Sequence, residues 1–194
     1  MGAVLLSEFA PLVGDVLGGR QSVATLFLLI FSIGVALGSV LVNSLLRGKV
    51  SARYVPTAAL VLAGCMIDLW WSTRGYARPV AAIGVGDFVR VAANGRILVD
   101  LAGIACAGGV FVVPLYAILQ TESPPAERSR IIAANNVVNA IMTVVMVGLV
   151  SLMLARGVGV PGVIGALGAM TLPVALIACG LAPETGLARL LRRR

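Results

Sequence analysis

The chain has 194 residues, of which 59% are hydrophobic and 12% charged, with a mean hydropathy of +1.03. That composition excludes a soluble domain, because apolar runs of about 18 or more residues with almost no charge read as membrane spans. The formal charge of +7 falls in short connections and near the C-terminus, where it orients helices and meets lipid headgroups rather than nucleic acid.

In chain order, residues 1–17 are too short for a span and carry Glu8, Pro11 and Asp15. They lack the basic start and small-residue cleavage site of a signal peptide, so they read as the second half of a helix. Residues 22–46 form a full span in which Gly34 and Gly38 make a GxxxG face that lets another backbone come close. A basic loop with Arg47, Lys49 and Arg53 leads to a span over 55–72 that ends in Trp70 and Trp71, an interfacial aromatic belt. Residues 73–95 hold Pro79, Gly84, Gly86, Asp87 and Arg90, and read as a loop lying along the membrane surface. Spans follow at 96–120, 131–155 and 160–181, and a basic tail at 182–194. Cys65, Cys106 and Cys179 all sit in apolar runs and are odd in number, so small-residue packing is expected rather than a disulfide framework.

The stretch "FVVPLYAILQTESPPAERSRIIAANN", residues 111–136, joins two spans through a stiff polar hinge. Pro114 removes a backbone hydrogen bond within its span, and Pro124 with Pro125 forces a tight reversal. Glu127, Arg128 and Arg130 then place charge at the start of the next span, either as a solvated turn or as a gating contact. Asn135 and Asn139 lie four apart on one helical face continued by Thr143, and each amide needs a partner inside the bilayer. Interhelical hydrogen bonding and substrate contact both satisfy that need. Asp68 is the one acid near the middle of a complete span, at an insertion cost of roughly 2.5–3.5 kcal/mol. Either it has a partner across its small-residue face of Val61, Gly64 and Cys65, or it reaches the interface beside the Trp pair. Asp100 reads as stabilising the N-terminal half of its helix.

Four segments, "GAVLLSEFAPLVGDVLGG", "TLFLLIFSIGVALGS", "VPLYAILQTESPPAERSRIIAANNVVNA" and "LAPETGLARLL", resemble the major facilitator superfamily. Within it they are similar to lysophospholipid transporters and to the transporter part of bacterial fusions with a phospholipid acyltransferase. The resemblance covers almost the whole chain. It implies an all-α membrane protein, the C-terminal six-helix half of a twelve-helix transporter with its first helix shortened. It also implies a bacterial inner-membrane location, a lysophospholipid cargo moved for reacylation, a missing N-terminal six-helix half as partner, and a possible acyltransferase partner. Glu8 stands where that family is expected to carry a neutral amide. The candidate substrate or gating residues are Asn135, Asn136, Asn139, Asp68, Tyr116, Gln120, Arg128 and Arg130.

No histidine, CxxC pair, phosphate-binding GxxxxGK[ST] loop or GxSxG elbow occurs in the sequence. Enzymatic activity and a cofactor are therefore not expected, and the His-and-Asp acyltransferase motif of the fused relatives has no place here. Two other readings stay open: generic efflux of small hydrophobic molecules, and a non-transporting fragment. Nine Lys and Arg on the side of the 47–53 loop, the 121–130 loop and the tail, against six on the other, predict that both termini are cytoplasmic. Arg74, Arg78, Arg90 and Arg96 oppose that bias. The tail alternates leucine with arginine, which suits a short surface helix or a simple positive-inside anchor.

Overall fold

The structure, a computed structural model, describes residues 2–181. Long apolar runs have no polar solvent for their backbone inside a bilayer, so each satisfies its amides internally as a helix. Five helices are long and apolar enough to cross a membrane: α3 (Gln21–Leu46), α4 (Val55–Thr73), α6 (Ala92–Glu122), α7 (Arg128–Ala155) and α8 (Val160–Leu181). The shorter helices are α1 (Gly2–Ser7), α2 (Phe9–Pro11), which runs into a wider turn at Leu12–Val16, and α5 (Val85–Arg90). Among the described residues there is no strand, only a single bridge between Gly19 and Ile83. The expected surface helix or anchor at 182–194 lies outside the described residues.

Helices α3, α6, α4 and α8 pack side by side in that order. Lipid tails are as apolar as leucine, so membrane helices gain little from hydrophobicity alone and associate where small residues let backbones touch. The GxxxG face of α3 does this against α6. A Cβ on Gly34 would stand 2.6 Å from that of Ala105, one on Gly38 would overlap the Cys106 carbonyl, and one on Gly109 would stand 2.5 Å from the Val35 oxygen. Gly165 and Gly168 of α8 approach α4 as closely, against the Trp70 ring and the Met66 Cβ. Gly64 contributes nothing of the kind, since its missing side chain faces open space; Cys65 beside it meets Gly103 of α6 instead.

The N-terminal segment is helical, as expected, but not continuous: it breaks at Glu8 between α1 and α2 and widens at Leu12–Val16. Phe9, Leu12, Val13 and Leu17 are fully buried and seat it in the bundle. Phe9 stacks edge-to-face on Phe27 and Phe31, and Phe27 on Phe88 of α5, with centroids 5.6–5.9 Å apart. Residues 73–95 are therefore not a simple surface loop: Phe88 is buried and α5 occupies its centre. Asn94, fully buried, donates to the Phe88 carbonyl at 2.9 Å and accepts from the Tyr76 hydroxyl at 2.8 Å. Gly18, at φ +62, turns the chain so that Arg20 N–H meets the Ile83 carbonyl at 2.9 Å. Helix α6 consequently starts four residues before the expected 96 and runs unbroken through Pro114, while α7 starts at Arg128 rather than 131.

Helix α7 stands apart from this packing. Val150 is its one buried residue, and Val137, Val138, Ile141, Met142, Val144 and Val145 are exposed.

Candidate functional site

Two places concentrate polar side chains on the membrane-crossing helices. The first is a cleft of about 240 Å³ between α6 and α7, lined by Phe111, Val112, Leu115, Tyr116, Leu119, Asn135 and Asn139. Residues 112, 115, 116 and 119 share a face of α6 because they recur at three- and four-residue spacing, and Asn135 and Asn139 share one of α7 for the same reason. Asn139 donates through Nδ2 to the Tyr116 hydroxyl at 3.3 Å. Thr143 does not extend the polar wall, because its hydroxyl donates back to the Asn139 carbonyl at 2.8 Å within the helix. The cleft thus has an apolar wall from α6 and an amide edge from α7, joined by one phenol.

Of the sequence-derived candidates, Tyr116, Asn135 and Asn139 come together there. Asn136 is exposed and outside the cleft lining. Gln120, Arg128 and Arg130 are exposed at the α6–α7 turn, and neither arginine makes an ion pair with another described residue. The turn at Pro124–Pro125 is accordingly held by backbone, with Glu127 N–H bonded to the Pro124 carbonyl at 2.9 Å, and not by a charged latch between helices.

The second place lies where α4 ends and α6 begins. Asp68 forms a two-pronged ion pair with Arg96, which donates through Nε to Oδ2 at 2.8 Å and through its second nitrogen to Oδ1. Such fork-to-carboxylate geometry is the strongest pairing available to either group. Asp68 has a partner in Arg96, and its side chain remains 38% exposed while paired. Asp100 sits one helical turn beyond Arg96, is 6% exposed, and its Oδ2 has no hydrogen-bond partner among the described residues. Arg96 was legible only as an arginine on the unfavoured side; its spacing of four from Asp100 was the available signal that both lie on one face.

Beside this cluster Arg74 stacks over Trp71 at 3.8 Å and Trp70 at 5.0 Å, and Trp71 is exposed. These contacts fit an aromatic belt with a cation at the same level. Glu8 is buried at the α1–α2 break, and its Oε2 also lacks a partner among the described residues.

Comparison with protein-family models, with curated proteins and with solved structures finds no match for the chain.

Proposed function

We propose that this multi-pass membrane protein is the six-helix half of a secondary transporter of the major facilitator type, moving lysophospholipid between the leaflets of a bacterial inner membrane. The observation that carries the reading is the α6–α7 cleft, whose apolar wall and amide edge match a single-chain amphiphile. An acyl chain lies against Phe111, Leu115 and Leu119, while hydroxyl or phosphate oxygens accept from Asn135, Asn139 and Tyr116. The resemblance of residues 113–140 to lysophospholipid transporters supplies the cargo class. The activity is transport without chemical conversion, and an acyltransferase acting on the delivered lipid is a separate partner.

Helix α7 fits the same reading. A 28-residue helix with one buried residue and three amides on its apolar course is suited to lie against a second helical half, which would close the cleft from the far side. Generic efflux by the same architecture remains the second reading, because the cleft wall is apolar without a headgroup-sized cage.

Reconstitution separates them. Vesicles containing the chain, alone and with any co-encoded six-helix chain, are expected to move fluorescent lysophosphatidylethanolamine inward. A hydrophobic dye cation should not compete. Movement of the dye with no lysolipid movement would replace the lipid reading with efflux, and movement of neither would remove both.

A further inference from the structure

The side of the molecule that holds residues 73–95 carries positive charge beyond what its own acids pair with. There Arg90 pairs with Asp87 at 3.9 Å, and Arg96 pairs with Asp68. Arg20, Arg74 and Arg78 are exposed and make no ion pair with another described residue, and neither does Asp15, the remaining acid on that side. Two of the three arginines are set by the contact between residues 18–20 and 78–83. Ile83 N–H donates to the Gly18 carbonyl at 3.0 Å, Arg20 Nε donates to the Ala82 carbonyl at 3.1 Å, and the Arg78 Cγ lies 3.2 Å from where a Cβ on Gly18 would stand.

Arg74 has the most defined seat. It is the first residue after α4, and its Cζ lies 3.8 Å from the centroid of the Trp71 ring and 5.0 Å from that of Trp70. A cation suits the carboxyl end of a helix wherever its side chain goes, so the end of α4 does not by itself put the guanidinium over the indoles. That seat holds the group by its face and leaves its N–H donors without a hydrogen-bond partner among the described residues. Interfacial tryptophans mark the headgroup level of a bilayer, so these donors stand where lipid phosphates lie, and a guanidinium fork matches phosphate oxygens in pairs. Trp71 is 56% exposed. A soluble phosphate would leave that ring uncovered, whereas a phospholipid lays the apolar part of its glycerol ester region against it. A zwitterionic headgroup brings its own cation, so three arginines without acid partners favour a lipid of net negative charge.

We propose that Arg74, seated on Trp71, binds the phosphate of an anionic phospholipid in the leaflet on the side of residues 73–95, and that Arg20 and Arg78 draw such lipids to this surface. The site is separate from the α6–α7 cleft and rests on neither the cleft nor its cargo.

Trp70 and Trp71 are the two tryptophans of the chain, so intrinsic fluorescence reads this site alone. The full chain is reconstituted in phosphatidylcholine vesicles, and quenching is compared for phosphatidylglycerol and phosphatidylcholine brominated on their acyl chains. A preference for phosphatidylglycerol of about fivefold is expected, the order of one arginine against an anionic headgroup. Arg74→Gln should bring it close to one. Arg90→Gln, the same loss of charge from an arginine that has an acid partner, should leave it in place. Inorganic phosphate, at an ionic strength matched with sodium chloride, should not relieve the quenching. Equal quenching by the two lipids, a preference retained in Arg74→Gln, or one lost to the same extent in Arg90→Gln overturns the proposal, and relief by inorganic phosphate would replace the lipid with a soluble anion. Should Arg74→Gln fail to fold, the two lipids compared on the unaltered chain, with and without phosphate, still decide.

Discussion

Gly38 and Gly64 occupy similar apolar helices but carry opposite consequences. A methyl group on Gly38 overlaps the Cys106 carbonyl, whereas one on Gly64 enters open space. Overpacking of this kind typically costs about 1–3 kcal/mol, so Gly38→Ala should lower the thermal unfolding midpoint in detergent while Gly64→Ala leaves it in place. Equal midpoints would mean that α3 and α6 do not cross at Gly38. Asn94 offers a second contrast at this scale, since its amide holds Tyr76 and Phe88 together in a fully buried position. Asn94→Ala takes the acceptor from the part-buried Tyr76 hydroxyl and leaves the Phe88 carbonyl only the longer bond from Val91 N–H at 3.4 Å, a loss of about 1–3 kcal/mol. It should open residues 73–95 to limited proteolysis before any transmembrane helix is cut; an unchanged cleavage pattern would count against the staple. For the cleft, Asn139→Leu removes the bond to Tyr116 and the amide edge, and transport is expected to fall about tenfold, the equivalent of roughly 1.4 kcal/mol, while Val138→Leu on the exposed flank leaves it unchanged.

At the scale of elements, span existence was legible because unbroken apolar length is the physical requirement for crossing a bilayer. The GxxxG face was legible as well, although not its partner: nothing in residues 22–46 says that Ala105, Cys106 and Gly109 will face it. The 73–95 connection was misread because Pro79, Gly84 and Gly86 are strong local breakers, while the burial of Phe88 and Asn94 depends on contacts with α3 and with Tyr76 that no local pattern announces. The cleft was half legible: the four-residue spacing put Asn135 and Asn139 on one face, but the position of Tyr116 opposite them follows from the tertiary placement of α7. Arg128 and Arg130 fitted either a solvated turn or a gating contact, because charge at a helix start suits both; here they are exposed and make no ion pair among the described residues. Helix α7 itself makes a prediction. In the chain without a second helical half, single cysteines at Val137, Ile141 and Val144, all exposed, should react with a membrane-soluble maleimide, and one at buried Val150 should not. Uniform protection along α7 would show that another surface covers it.

For the whole molecule, alternating crossings put the 47–53 loop and the 121–130 turn on one side and the 73–95 connection on the other. Ser51→Cys and Gly75→Cys should therefore label from opposite sides of sealed vesicles, and labelling of both from one side would contradict the crossing order. The charge balance expected to orient the molecule is opposed by four arginines of 73–96, and two of these have structural work within the chain: Arg74 covers the Trp pair and Arg96 neutralises Asp68. If the proposed function is right, a single-chain phospholipid occupies the space between α6 and α7. Photocrosslinking the reconstituted chain with a diazirine-bearing lysophospholipid, followed by peptide mapping, tests it most directly. Labelling is expected to concentrate on residues 111–119 and 135–139, suppressed by unlabelled lysophospholipid and not by diacyl phospholipid. Labelling spread evenly over every exposed helix and indifferent to competition would contradict it.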